Sequence, residues 1–132
     1  MSSQKVLTIT LNPSIDIGTE ADDVIPDQKT RCQPPVYDPG GGGINVSRVL
    51  TRLGITNDAL CIVGGYTGNL LIQMMAEESI PLHTVQSPEK TRQNLAIIDK
   101  RTSLQYRFVL PGSVPDESSR QPVGVRASLR AG

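Results

Sequence analysis

The sequence has no excess of either charge: 13 basic residues face 13 acidic ones. A balanced chain sets up no long-range field that would hold nucleic acid or an anionic membrane. No apolar run approaches the roughly 20 residues that a membrane span needs, so neither class of partner is expected. The opening MSSQKVLTIT is interrupted by polar residues and lacks a secretory pattern. Cysteine is nearly missing: Cys32 and Cys61 stand far apart, with no CxxC pair. That spacing argues against a disulfide framework or a metal site and for two idle thiols. The single histidine, His83, has no partner pattern and is given no role. A cytoplasmic protein of one domain is the expectation.

Glycine and proline, by contrast, are plentiful, with 12 and 10 residues concentrated around positions 34–43 and after 111. Val6 to Leu11 alternates and is β-rich, and Asn12-Pro13 ends it in a turn. Ile15 to Glu20 is short enough for a second strand. Gln28 to Asp38 carries Pro34-Pro35, which cannot donate ladder hydrogen bonds, so a strand there belongs at a sheet edge. From Ile44 the period changes: Val46, Val49, Leu50 and Leu53 fall on one helix face, and Gly54 offers a left-handed stop. Asp58 to Gly65 reads as a buried strand. A second helix is expected from about Thr67 to Glu78, with Leu70, Leu71, Met74 and Met75 as its apolar stripe. Gln93–Ile98 and Leu104–Leu110 flank a polar turn and read as a hairpin.

The alternation of strand and helix argues for an α/β fold with a parallel sheet flanked by helices. The hairpin and the proline-marked edge strand fall outside that alternation and imply a separate small antiparallel sheet. Residues 113–132 are rich in Ser, Arg, Pro and Gly without period, which is the composition of an unpacked tail.

The strongest local signal is Gly40-Gly41-Gly42-Gly43-Ile44-Asn45-Val46-Ser47 at a helix start. Glycines let a ligand approach main-chain N–H groups closely, and a helix N-terminus favours anions or hydroxyl oxygens. A dinucleotide frame fits poorly. Asn45 stands where GxGxxG requires glycine, and no acidic residue follows about 20 positions on.

Gly42-Gly43-x-Asn45-x-Ser47, then six residues to Gly54 and nine to Gly64, resembles the N-terminal signature of the ribokinase-like (PfkB) carbohydrate kinases. Leu11-Asn12-Pro13-Ser14-Ile15-Asp16, Lys29-Thr30-Arg31-Cys32, Asp38-Pro39-Gly40, Thr91-Arg92-Gln93-Asn94 and Gln105–Gly112 extend the likeness over about positions 5–120. Within the family they are most similar to the bacterial minor-type 6-phosphofructokinase branch.

The resemblance implies ATP-dependent phosphorylation of fructose 6-phosphate to fructose 1,6-bisphosphate, with a sugar phosphate as ligand and a homodimer formed through a β lid. The lid strands would lie near 15–38 and 93–110, within a sugar-binding part covering residues 1–112. It implies that Asp16 accepts hydrogen bonds from sugar hydroxyls, that Gly40, Gly41, Gly42 and Asn45 line the seat, and that Arg92 grips the phosphate, with Lys29 adding charge. On the residues alone, a turn cap after Pro13 is the lesser reading of Asp16, whereas Asn45 reads equally as an ordinary helix-start residue. Arg92 and Lys29 read equally as solvated cations.

The family's Gly-Ala-Gly-Asp base motif and its Asn-x-x-Glu magnesium motif do not occur in this sequence. No catalytic residue and no metal ligand is therefore assigned. ATP and Mg2+ belong to the intact family and are not expected to bind productively here. The drift after residue 120 reads as a shortened or frame-shifted gene, and a catalytically silent chain is expected. The alternative is a non-catalytic module that dimerises or regulates through its lid.

Overall fold

A computed structural model describes residues 5–112 of the chain. The expected tail at 113–132 lies outside the described residues. Strand β1 is Val6–Thr10, β2 is Ser14–Ala21 and β3 is Val36–Gly40. Helix α1 spans Gly42–Arg52, β4 spans Asn57–Val63 and α2 spans Gly65–Glu77, followed by β5 at Leu82–Gln86. Strands β6, Arg92–Asp99, and β7, Gln105–Val109, complete the order.

Two sheets result. The first has order β1-β4-β5 and is wholly parallel. The second has order β3-β2-β6-β7. Its outer pairs are antiparallel, as expected, while β2 and β6 run parallel at its centre. The α/β class with its flanking small sheet is therefore as expected. Strand β5 is an addition, because its LHTVQ is too short and too polar for periodicity to reveal it. The segment expected as a strand from Gln28 to Asp38 shrinks to β3 and an isolated bridge between Ala21 and Cys32. The prolines that mark it as an edge also remove the donors for most of a ladder.

One core joins the layers. Ala59, Cys61 and Val63 alternate along β4 toward Ile44 of α1 and toward Leu71 and Met75 of α2, with Ile15 of β2 in the same cluster. Both helices thus cover the same face of the parallel sheet. Helix α2 uses half of its expected stripe: Leu71 and Met75 are fully buried, whereas Leu70 is 37% exposed.

Helix α1 reverses its expected face. Val46, Val49 and Leu53 are 51%, 53% and 68% exposed, while Ile44 and Ser47 are buried. The inward side is hydroxyl-rich. Ser47 bonds to Thr8 of β1, and Asn57 Nδ2 donates to Thr51 Oγ1 at 2.9 Å. Small polar residues let helix and strand approach closely, so hydropathy marks the outer side. Gly54 ends α1 at φ +79, the left-handed stop expected.

Candidate functional site

Register assembles the site. Ser14 of β2 lies between Gly40 of β3 and Arg92 of β6, and Asp16 lies between Asp38 and Asn94 in the next row of the same face. Residues that stand 22 to 78 positions apart in the chain therefore share two adjacent rows. The rows meet the start of α1, because β3 runs directly into Gly41 and Gly42.

Asp16 is held by two donors. Ser14 Oγ donates to its Oδ1 at 2.8 Å and Asn94 Nδ2 at 3.2 Å. The Asn94 Oδ1 in turn accepts the Leu110 N–H at 3.2 Å. The free face of the carboxylate packs over Gly40, where a Cβ would sit 2.7 Å from the carboxyl carbon. Glycine is required there by space. At Gly41 it is required by conformation, since φ is +123, a value that side chains resist.

The amide ends of α1 have no side-chain cap, so they remain donors for a ligand. Asn45 N–H bonds to the Gly41 carbonyl in the first helical turn, and its side chain is exposed.

Arg92 opens β6. Its Nη2 donates to the Asn12 carbonyl at 3.2 Å, while its buried Nε has no acceptor among the described residues. A buried guanidinium N–H without an acceptor costs free energy, and a phosphate oxygen is a fitting acceptor for it.

Like charges also meet in this region, for Asp16 and Asp38 are cross-strand neighbours, an arrangement that destabilises a sheet. Arg48 reaches Asp38 at 3.5 Å and Glu78 at 2.9 Å and offsets part of this. A groove of about 340 Å³ runs over the same face, lined by Asp16, Asn94, Ala96, Arg107 and Val109. That volume falls in the range of small-molecule sites.

The structure thus gathers Asp16, Gly40, Gly41, Gly42 and Arg92 around the end of β3. It leaves Lys29 exposed in the irregular link between β2 and β3, with no hydrogen bond or ion pair joining it to the cluster among the described residues. Ser14 and Asn94, which both donate to Asp16, are not among the site residues expected from the sequence. The signal for Asn94 lies in the pairing of β2 with β6, and that for Ser14 in its place two residues before Asp16 on one face of β2.

No group of three His, Cys, Asp or Glu side chains that could hold a metal occurs among the described residues. No described helix is long and apolar enough to cross a membrane.

Comparison with known proteins adds an independent finding. The pattern defining the pfkB family carbohydrate kinases matches residues 9–120. ATP-dependent 6-phosphofructokinase isozyme 2 of Mycobacterium tuberculosis is 44% identical over 108 residues, which cover 82% of this chain and 32% of that protein. The enzyme of the same description from Escherichia coli is 42% identical over 113 residues, covering 86% and 37%. Among solved structures, phosphofructokinase-2 from Escherichia coli in complex with fructose-6-phosphate superposes with TM-score 0.85 at 38% identity, over 95% of this chain and 41% of that one. The chain spans about a third of the length of the curated relatives it matches.

Proposed function

The chain belongs to the pfkB family of carbohydrate kinases, and from that premise we propose that it supplies the sugar-phosphate seat of a kinase that converts fructose 6-phosphate to fructose 1,6-bisphosphate with ATP. The observation that carries this is the shared face of β2, β3 and β6. It places a carboxylate held by Ser14 and Asn94 beside glycine-exposed amides and an arginine whose buried Nε lacks an acceptor.

Asp16 would accept from sugar hydroxyls, the more strongly for being charged. The Gly41 and Gly42 amides and the Asn45 side chain would meet further oxygens, and Arg92 would take the phosphate. Lys29 would join them only if its loop turns inward when ligand binds. ATP and Mg2+ would serve the intact kinase, and the residues named here would seat and orient the sugar phosphate. We place it in the cytoplasm, where sugar phosphates are held.

A second reading has its own support. Val36 and Val109 of the small sheet are 63% and 64% exposed, with Ile98 beside them on the same face. An apolar sheet face of this kind favours pairing. We infer that this sheet acts as a lid and joins two copies, so that the chain can act as a dimerising or regulatory module.

Calorimetric titration with fructose 6-phosphate and with fructose tests the binding reading. Asp16→Asn should weaken the sugar phosphate by about 10- to 100-fold, the worth of a hydrogen bond to a charged group. Arg92→Ala should bring its affinity down to that of fructose. Equal binding of sugar phosphate by wild type and both variants would overturn the assignment.

A further inference from the structure

Asp38 stands opposite Asp16 on the face that forms the seat, so two carboxylates share one row. Their surroundings differ. Asp16 is bound by the neutral donors Ser14 and Asn94 and forms no ion pair among the described residues. Asp38 pairs with Arg48 of α1, whose Nη2 lies 3.5 Å from its Oδ1. The same guanidinium is fixed from its other side: Arg48 Nε donates to Glu78 Oε1 at 3.0 Å, and Nη2 lies 2.9 Å from that oxygen. Glu78 is the residue that closes α2. The Arg48 side chain is only 16% exposed, so one mostly buried cation links α1, the end of α2 and β3.

Strand β3 is an edge of the small sheet, and β2 is its strand neighbour. Two residues beyond Asp38 it supplies Gly40, the floor under the Asp16 carboxylate, and then runs into the amides of Gly41 and Gly42. A displacement of β3 from β2 therefore moves the floor and the amides together. Like charges directly opposite one another push paired strands apart. A sugar phosphate brings more negative charge to the same face and would meet Asp16 and Asp38 at once. Cancelling Asp38 leaves Asp16 as the one unpaired carboxylate of the two, free to accept from hydroxyls. Arginine suits this task, because it stays charged at any working pH and its planar fork can serve two carboxylates.

We propose that Arg48 is a positioning residue of the sugar-phosphate seat. It acts through Asp38, by removing the charge that faces Asp16 and the incoming phosphate. It thereby keeps β3 against β2, with the Gly40 floor and the helix-start amides in place. Glu78 holds the guanidinium where it can do this. For its ligand this role rests on the sugar-phosphate reading; the effect on strand pairing does not, and it is measurable in the free chain.

The test compares the full 132-residue chain with Arg48→Met, Asp38→Asn and the double variant. Each is titrated with fructose 6-phosphate by calorimetry and followed, without ligand, by amide hydrogen exchange in β3. Arg48→Met should weaken binding by about fivefold, the upper range for a partly exposed ion pair, and speed β3 exchange. Adding Asp38→Asn should bring both readouts back to within about twofold of wild type. Asp38→Asn alone should bind at least as tightly as wild type and exchange no faster in β3. A guanidinium that only braces α1 against α2 gives another pattern, because neutralising Asp38 then rescues nothing. Unchanged β3 exchange in Arg48→Met, a double variant as impaired as Arg48→Met, or weaker binding by Asp38→Asn would each overturn the proposal. Should Arg48→Met not fold, the direction of the Asp38→Asn effects decides. Wild type that ignores fructose 6-phosphate while β3 exchange follows the predicted pattern would sink the sugar-phosphate reading and leave the coupling of Arg48 to Asp38 standing.

Discussion

Replacing Gly40 by alanine puts a methyl group where the Asp16 carboxylate and the Ser14 hydroxyl already stand. The new Cβ would lie 2.7 Å from the Asp16 carboxyl carbon and 2.5 Å from Ser14 Oγ, inside any tolerable contact. Ser14 is itself buried and Asp16 is tied to Ser14 and Asn94, so neither can yield without breaking the pair of bonds that aims the carboxylate. Overpacking of this kind costs about 1–3 kcal/mol. In a domain of this size each kcal/mol lowers Tm by about 4 °C or more.

The same displacement misdirects Asp16, so affinity for fructose 6-phosphate should fall along with stability. Gly18 is the control. It lies in the same strand two residues beyond Asp16, and nothing stands within 4 Å of a Cβ built there. Gly18→Ala should match or slightly exceed wild-type stability, because alanine restricts the unfolded chain. Thermal unfolding and calorimetry on both variants give the answer. Gly40→Ala with wild-type Tm and affinity would refute the reasoning that the carboxylate is seated on a glycine.

Two further outcomes follow from titratable groups away from the site. Burial of Asp99 would raise its pKa, but the amides of Val24, Thr102 and Arg101 and the nearby Arg101 guanidinium outweigh this and hold it below the usual carboxylate range. A carboxyl depressed in the folded state stabilises above its unfolded pKa, about 3.9, and that contribution fades as pH falls through the folded value. Asp99→Asn should therefore unfold at lower temperature at neutral pH, with the gap to wild type closing in acid. Parallel curves would contradict this. The cysteines should differ sharply: burial in β4 pushes the Cys61 thiol up to about 11, while Cys32 is exposed. A thiolate reagent should label one cysteine per folded chain and both in denaturant. Rapid labelling of both in the native protein would contradict the placement of Cys61.

Local periodicity carried most of the fold. The alternation of Val6–Thr10, the hairpin around Asp99–Ser103 and the glycine stop after α1 were all readable because each is decided within a few residues. Strand β5 was not, since its place depends on pairing with β4, and its Leu82 and Val85 do not alternate strictly. The α1 stripe misled for a different reason: its partner surface is Thr8 and Thr10, so hydroxyls and small groups face inward and valines face out. In the site, the glycine run announced itself, and Asp16 and Arg92 were singled out by the family likeness. Asn94 was not, because what joins it to Asp16 is a register between β2 and β6 that no local pattern encodes; Ser14 bonds Asp16 two residues along the same strand and went unassigned although that contact is local.

The central claim is that one face of the small sheet and the first turn of α1 together receive a phosphorylated sugar. Backbone amide spectra of the chain recorded during titration with fructose 6-phosphate test it residue by residue. The account predicts saturable shifts concentrated at Asp16, Gly40 to Asn45 and Arg92. Shifts absent from these residues, or gathered instead around His83 and β5, would contradict it.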